Sequence, residues 1–170
     1  METITTDKIL QTITSFIESI GIPVQYAPDL EGVFLPGLRI ENGSIIIDSN
    51  REFYPGDLLH EAGHLATVPA EERKALNNEN IATRKDYAAE EMMAIAWSYA
   101  ACCHLQLDPH VVFHDNGYKN GGAEIAESFM KKEYFGVPML QWVGLTHDPK
   151  NKNLPENAIV YPGMIKWLRD

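Results

Sequence analysis

Cysteine is nearly absent from this chain. Two occur in 170 residues, adjacent as Cys102 and Cys103. Neighbours on a helix point about 100° apart and do not readily bridge, so a disulfide scaffold is excluded. Both thiols are expected reduced, as small core residues. Basic residues are also scarce, 14 against 24 acidic, for a net charge of −10. That surface repels phosphate backbones and anionic lipid, so neither nucleic acid nor a membrane is an expected partner. Long apolar runs are missing too. The longest candidate, Tyr87 to Leu107, is interrupted by Glu90, Glu91, Ser98, His104 and Gln106, which suits a buried helix rather than a bilayer span. The opening Met1-Glu2-Thr3 has neither the basic stretch nor the apolar core of a secretory signal. With reduced thiols, this makes the cytoplasm the expected compartment. No repeat or low-complexity tract stands out. Length and an apolar fraction of 45% fit one domain over residues 1–170.

What is present reads as α+β. Ile9, Leu10, Ile13, Phe16, Ile17 and Ile20 recur at helical spacing over Thr5 to Ile20, and Gly21 and Pro23 stop that helix. Val33 to Asp48 reads as β structure. Within it Asn42-Gly43 separates Leu38–Glu41 from Ser44–Asp48, the signal of a tight hairpin. Pro55-Gly56-Asp57 opens a helix that Pro69 closes. Glu71 to Asn80 is polar, a short helix or loop. Lys85 to Leu107 is the longest helix expected, and Ala123 to Tyr134 another. Beyond Gly136 the chain reads as loop-rich, with Met139, Leu140, Trp142, Ile165, Trp167 and Leu168 as apolar anchors in the core. The expected architecture is helix-rich, with a small antiparallel sheet or hairpin packed on the helix after Pro55 and on the next long helix.

The helix after Pro55 carries His60-Glu61-Ala62-Gly63-His64. Four residues advance a helix by about 400°, so both imidazoles leave one face a turn apart and can share one ion. Glu61 lies beside them, where a carboxylate can take a proton from water at the ion without being a ligand. Leu58, Leu59, Leu65 and Ala66 flank the motif and bury the helix; the bland reading is two histidines four apart by chance. A catalytic zinc site needs a third protein ligand and one open position. Glu90 and Glu91 stand in an apolar run, where an unpaired carboxylate is costly. The helical face of Glu91 continues through Ala94, Ser98 and Ala101, all small, and that of Glu90 through Met93 and Trp97. Close approach of two helices favours Glu91 as the ligand. Glu90 is the alternative, or an acceptor for a histidine N–H.

HExxH followed 27 residues after His64 by a helical glutamate resembles the gluzincin metallopeptidases. The short gap, the preceding helix and hairpin, and Glu91-Met92-Met93-Ala94 with Trp97 resemble the ImmA/IrrE-type peptidase family over roughly residues 20–107. Ile95 stands where an asparagine often occurs in that family. The resemblance implies one Zn²⁺ per chain held by His60, His64 and Glu91, with Glu61 as general base in hydrolysis of a peptide or protein substrate. In peptidases of this kind an edge strand beside the helix pairs with the extended substrate; Ser44 to Asp48 or Leu38 to Glu41 could do so here, and Ile45-Ile46-Ile47 equally suits a hairpin that is simply core. An oxyanion donor would come from His114, Tyr118 or His147, with His114 preferred because Asp115 or Asn116 could orient a neighbour. His104 and His110 have no expected role. Two histidines and a carboxylate also suit Mn²⁺ or Fe²⁺. Two other functions share these residues: a metal-holding regulatory or interaction module without turnover, and a hydrolase of non-peptide amides.

Overall fold

The computed structural model describes residues 5–31 and 35–170. Val33, where the expected β stretch begins, lies outside them. The first helix, α1 (Thr6–Ser19), starts at Thr5, whose hydroxyl accepts from the Lys8 amide at 3.4 Å. Its inner face buries Ile13, Phe16 and Ile17. Strands follow: β1 (Val24–Ala27), β2 (Leu38–Glu41) and β3 (Ser44–Asp48). Asn42 and Gly43 both take positive φ, 50° and 75°, as a two-residue hairpin turn between twisted strands requires. Gly43 has a second reason to be glycine, since a Cβ there would lie 2.7 Å from the Arg73 carbonyl oxygen.

The sheet order is β1-β3-β2. The hairpin pairs β2 with β3 antiparallel, while β1 joins β3 in parallel, Val24 opposite Ile45 and Ala27 opposite Asp48. The sheet is therefore mixed, with one strand more than the expected hairpin. All five β3 residues are buried, which matches a central strand covered on both faces. Neither hairpin arm offers the open edge expected for an extended substrate. β3 is paired on both sides, and the outward amides of β2 are taken: Leu38 donates to the Leu35 carbonyl at 3.3 Å and Ile40 to Asn78 Oδ1 at 2.8 Å.

Helix α2 (Asp57–Thr67) carries the HExxH residues, and two short helices follow, α3 (Ala70–Arg73) and α4 (Asn78–Ile81). The longest, α5 (Tyr87–Leu105), is buried continuously from Met93 to Cys102, a core helix apolar on every side. Cys102 is buried in it and Cys103 exposed, both free, so only one thiol is a core residue. Two further helices complete the fold, α6 (Gly122–Met130) and α7 (Val137–Trp142).

Helix α7 falls within the stretch expected to be loop-rich. It packs Val137 and Leu140 into the core. Trp142 lies two residues past Leu140, on the opposite side of the helix, and is 90% exposed. Its expected place in the core is thereby corrected, as is that of Ile165, which is also exposed. Trp167 does pack inward, edge-on to Phe16 at 4.9 Å and to Trp97 at 5.4 Å.

The segment around Trp167–Arg169 returns to the end of α2. Trp97 Nε1 donates to the Trp167 carbonyl at 3.0 Å, and the Arg169 amide to the Ala66 carbonyl at 2.9 Å. Arg169 Nη1 reaches the Thr67 carbonyl at 3.2 Å, while Arg73 Nε reaches that of Leu65 at 2.7 Å. The last carbonyls of a helix have no partner within it, and here two arginines supply one.

Candidate metal centre

The site begins with how closely α2 and α5 approach. A Cβ on Gly63 would stand 2.8 Å from the Ala94 carbonyl oxygen and 3.0 Å from its Cα, so the glycine inside the HExxH motif is where α5 nearly touches α2. One turn on, Ser98 Oγ donates to the Ala94 carbonyl at 2.6 Å and lies 3.2 Å from that of Leu59. The small stripe Glu91, Ala94, Ser98 is thus the contact face, and it carries Glu91 to the histidines.

His60 Nε2 and His64 Nε2 are 3.1 Å apart. Glu91 Oε1 lies 3.5 Å from the first, and Glu91 Oε2 lies 3.1 Å from the second. The three residues are close enough to hold a metal ion. Donors bonded at 2.0–2.1 Å in a tetrahedron stand about 3.3 Å apart, the range found here, so the residues fit such an ion. His64 is buried, whereas the His60 and Glu91 side chains keep 14% and 29% exposure, leaving one side of the group open.

Electrostatics follow from burial and from these neighbours. Burial, aided by the charge of His64 and opposed by Glu91, lowers the His60 pKa to about 4. Burial would lower that of His64 too, but its hydrogen bond to Glu91 and the charges of Glu61, Glu91 and Glu90 raise it overall. Burial acts to raise Glu91, yet the hydrogen bond from His64 and the charges of both histidines leave it lowered. Glu61 differs. Burial pushes its carboxyl up to about 7, with Asp57 and Glu91 adding to the rise and His64 opposing it. A carboxylate poised there can take a proton and give it back near neutrality.

Glu90 is elsewhere. Its carboxylate is held by Arg84, Nε at 2.7 Å and Nη2 at 2.9 Å, and Arg84 also reaches Glu72 at 2.5 Å. The Glu90 carboxylate is therefore committed to an ion pair, and is neither a ligand nor the acceptor for a histidine N–H that was the alternative for it. Bidentate pairing accounts for a buried acid in an apolar run.

His114 is not in the group of three. Its Nε2 pairs with Asp57 Oδ1 at 2.8 Å, its ring stacks on Tyr54 at 4.0 Å, and its Nδ1 is buried without a hydrogen-bond partner among the described residues. Asn116 bonds the Tyr54 hydroxyl. His147 Nδ1 bonds the Ile159 carbonyl at 2.9 Å. His104 packs its ring between Phe16 and Trp167, and His110 bonds Asp108 at 2.7 Å.

Sequence reasoning missed two contacts. Asp57 lies one turn before His60 and Glu61 on α2, and that spacing was the available signal for its pairing near the motif. Tyr118 was considered only as an oxyanion donor, but its hydroxyl lies 3.0 Å from His60 Nδ1 and its ring stands edge-on to the imidazole at 5.5 Å. Tyr118, Lys119 and Asn120 all have positive φ, 51°, 53° and 67°. Each such non-glycine residue costs on the order of 1–3 kcal/mol, so three in succession mark a turn held by its surroundings. The clue in sequence was the glycines on either side, Gly117 and Gly121-Gly122.

No family model, curated protein or solved structure matches this chain.

Proposed function

We propose that this chain is a zinc-dependent peptidase, with His60, His64 and Glu91 as metal ligands and Glu61 as general base. The observation that carries the reading is the spacing of the three donors, 3.1 to 3.5 Å, with one side open to solvent. When bound, Zn²⁺ supplies Lewis-acid polarisation of a scissile carbonyl and acidifies water. Glu61 takes the proton of the attacking water and returns it to the leaving amine. The proposed substrate is a peptide or protein chain that approaches from the exposed side of His60 and Glu91. A structural site has no use for a base, and an intact Glu61 next to His60 favours turnover over a metal-holding module. The resemblance to ImmA/IrrE-type gluzincins, carried by the HExxH-to-Glu91 spacing and by Glu91-Met92-Met93-Ala94, supports the same reading. Free Cys102 and Cys103 fit a cytoplasmic setting.

The test is metal content and hydrolysis together. The native protein is expected to hold one zinc per chain and His60→Ala to lose it; equal zinc in both would sink the site. Glu61→Gln is expected to keep the zinc and lose hydrolysis of a peptide library by about 10²–10⁴-fold. Hydrolysis that survives this change removes Glu61 from the base role. Zinc without hydrolysis by the native protein would favour the module without turnover.

A further inference from the structure

A histidine that binds a metal through Nε2 carries its proton on Nδ1, and that N–H needs an acceptor where water is scarce. In His60 the Nε2 side faces His64 and Glu91, and the Nδ1 side faces the Tyr118 hydroxyl at 3.0 Å. We propose that Tyr118 is a positioning residue for the metal centre, its hydroxyl oxygen accepting the Nδ1–H of His60 and so fixing both the tautomer and the ring orientation of that ligand. The inference rests on the metal reading above and adds a residue that neither the HExxH motif nor the gluzincin resemblance contains.

The backbone around Tyr118 supports a directed role. Packing alone would be met by any aromatic ring on an ordinary loop, whereas this ring is delivered by three consecutive left-handed residues. Such conformations persist where the surroundings over-determine them, and they cluster at functional sites. The surroundings here are visible. A Cβ on Gly122 would lie 2.6 Å from the His114 carbonyl oxygen and 2.7 Å from that of Phe113, so the chain passes there without room for a side chain. Phe113 is fully buried and packs on the Tyr118 ring at 5.5 Å. The turn is closed by the Asn120 amide on the Gly117 carbonyl at 3.2 Å and the Gly121 amide on that of Tyr118 at 2.9 Å. A held turn, an anchored ring and a hydroxyl at hydrogen-bond distance from the non-ligating nitrogen together define a lever on His60.

The variant to make is Tyr118→Phe, which keeps the ring and removes the oxygen. Zinc affinity is read by competition with a chromophoric chelator, the ligand field by the visible bands of the Co²⁺-loaded protein, and the fold by the melting point with and without zinc. The expected result is zinc binding about 10–100-fold weaker, shifted Co²⁺ bands, and a melting point lowered more with zinc than without it. Native-like affinity and bands in the variant would overturn the inference while leaving the metal site standing. A melting point lowered equally with and without zinc would show that the hydroxyl serves the fold alone and would also overturn it. A native protein that binds neither ion would remove the metal reading and this inference together.

Discussion

Asp48 shows what one side chain does for the sheet. It ends β3 inside the protein, where its carboxylate accepts from the Asn50 amide at 2.8 Å, the Leu30 amide at 2.8 Å and the Asp29 amide at 3.1 Å. The Asn50 amide chiefly lowers its pKa below the usual 3.8; burial opposes this, and the Leu30 and Asp29 amides and Arg51 assist. A carboxyl depressed on folding contributes stability above its unfolded value, near 3.9, and loses it as pH falls through the folded value. Asp48→Asn is therefore expected to melt below the native protein at pH 7, with the gap narrowing from about pH 4 downward. A gap of equal size at pH 3, by thermal unfolding monitored in the far ultraviolet, would refute this account. The same scale separates what was legible in the sequence from what was not. His60, Glu61 and His64 lie within one helical turn, so geometry follows from spacing alone. Glu91 could be preferred to Glu90 because small residues on its face announce close packing. Tyr118 on His60 joins residues 58 apart through a left-handed turn that no local periodicity encodes.

At the level of elements, the decisive contact is α2 against α5. Gly63 is its tightest point, and Gly63→Ala would place a methyl group 2.8 Å from the Ala94 carbonyl oxygen. Overpacking of this kind costs about 1–3 kcal/mol. Glu91 sits one turn before Ala94, so the displacement that relieves the clash also withdraws it from the histidines. The expected result is a destabilised protein whose zinc affinity falls as well; unchanged affinity by chelator competition would show that the ligand geometry does not depend on this approach. Helices α1, α2, α5 and α6 could be read from their periods and stops, and the hairpin from Asn42-Gly43, because those signals are local. β1 escaped because it has four residues and pairs in parallel with a strand about 20 positions away. α7 escaped because six residues leave too little period, and Trp142 was assigned to the core by its chemistry rather than by its angle on that helix.

For the molecule as a whole, helices, sheet and the Trp167–Arg169 segment share one core around α5. No helix among the described residues is long and apolar enough to cross a membrane. The proposed metal would tie α2 to α5 at its centre, so its removal is expected to lower the global melting point. At free zinc 100 times the dissociation constant the linkage is about 2.7 kcal/mol, or about 5–11 °C for a chain of this size. Calorimetry with and without a chelator checks this, and identical melting points would refute it. The arginine contacts at the end of α2 carry a consequence of their own. Thr67 and Arg169 are 102 positions apart, yet neither the final turn of α2 nor the segment bearing Arg169 can fray without depriving the other of partners. Their opening is then a single event, and coupling free energies are reciprocal. Whatever steadies the HExxH helix makes that segment harder to peel away, and anything that peels it away loosens the helix.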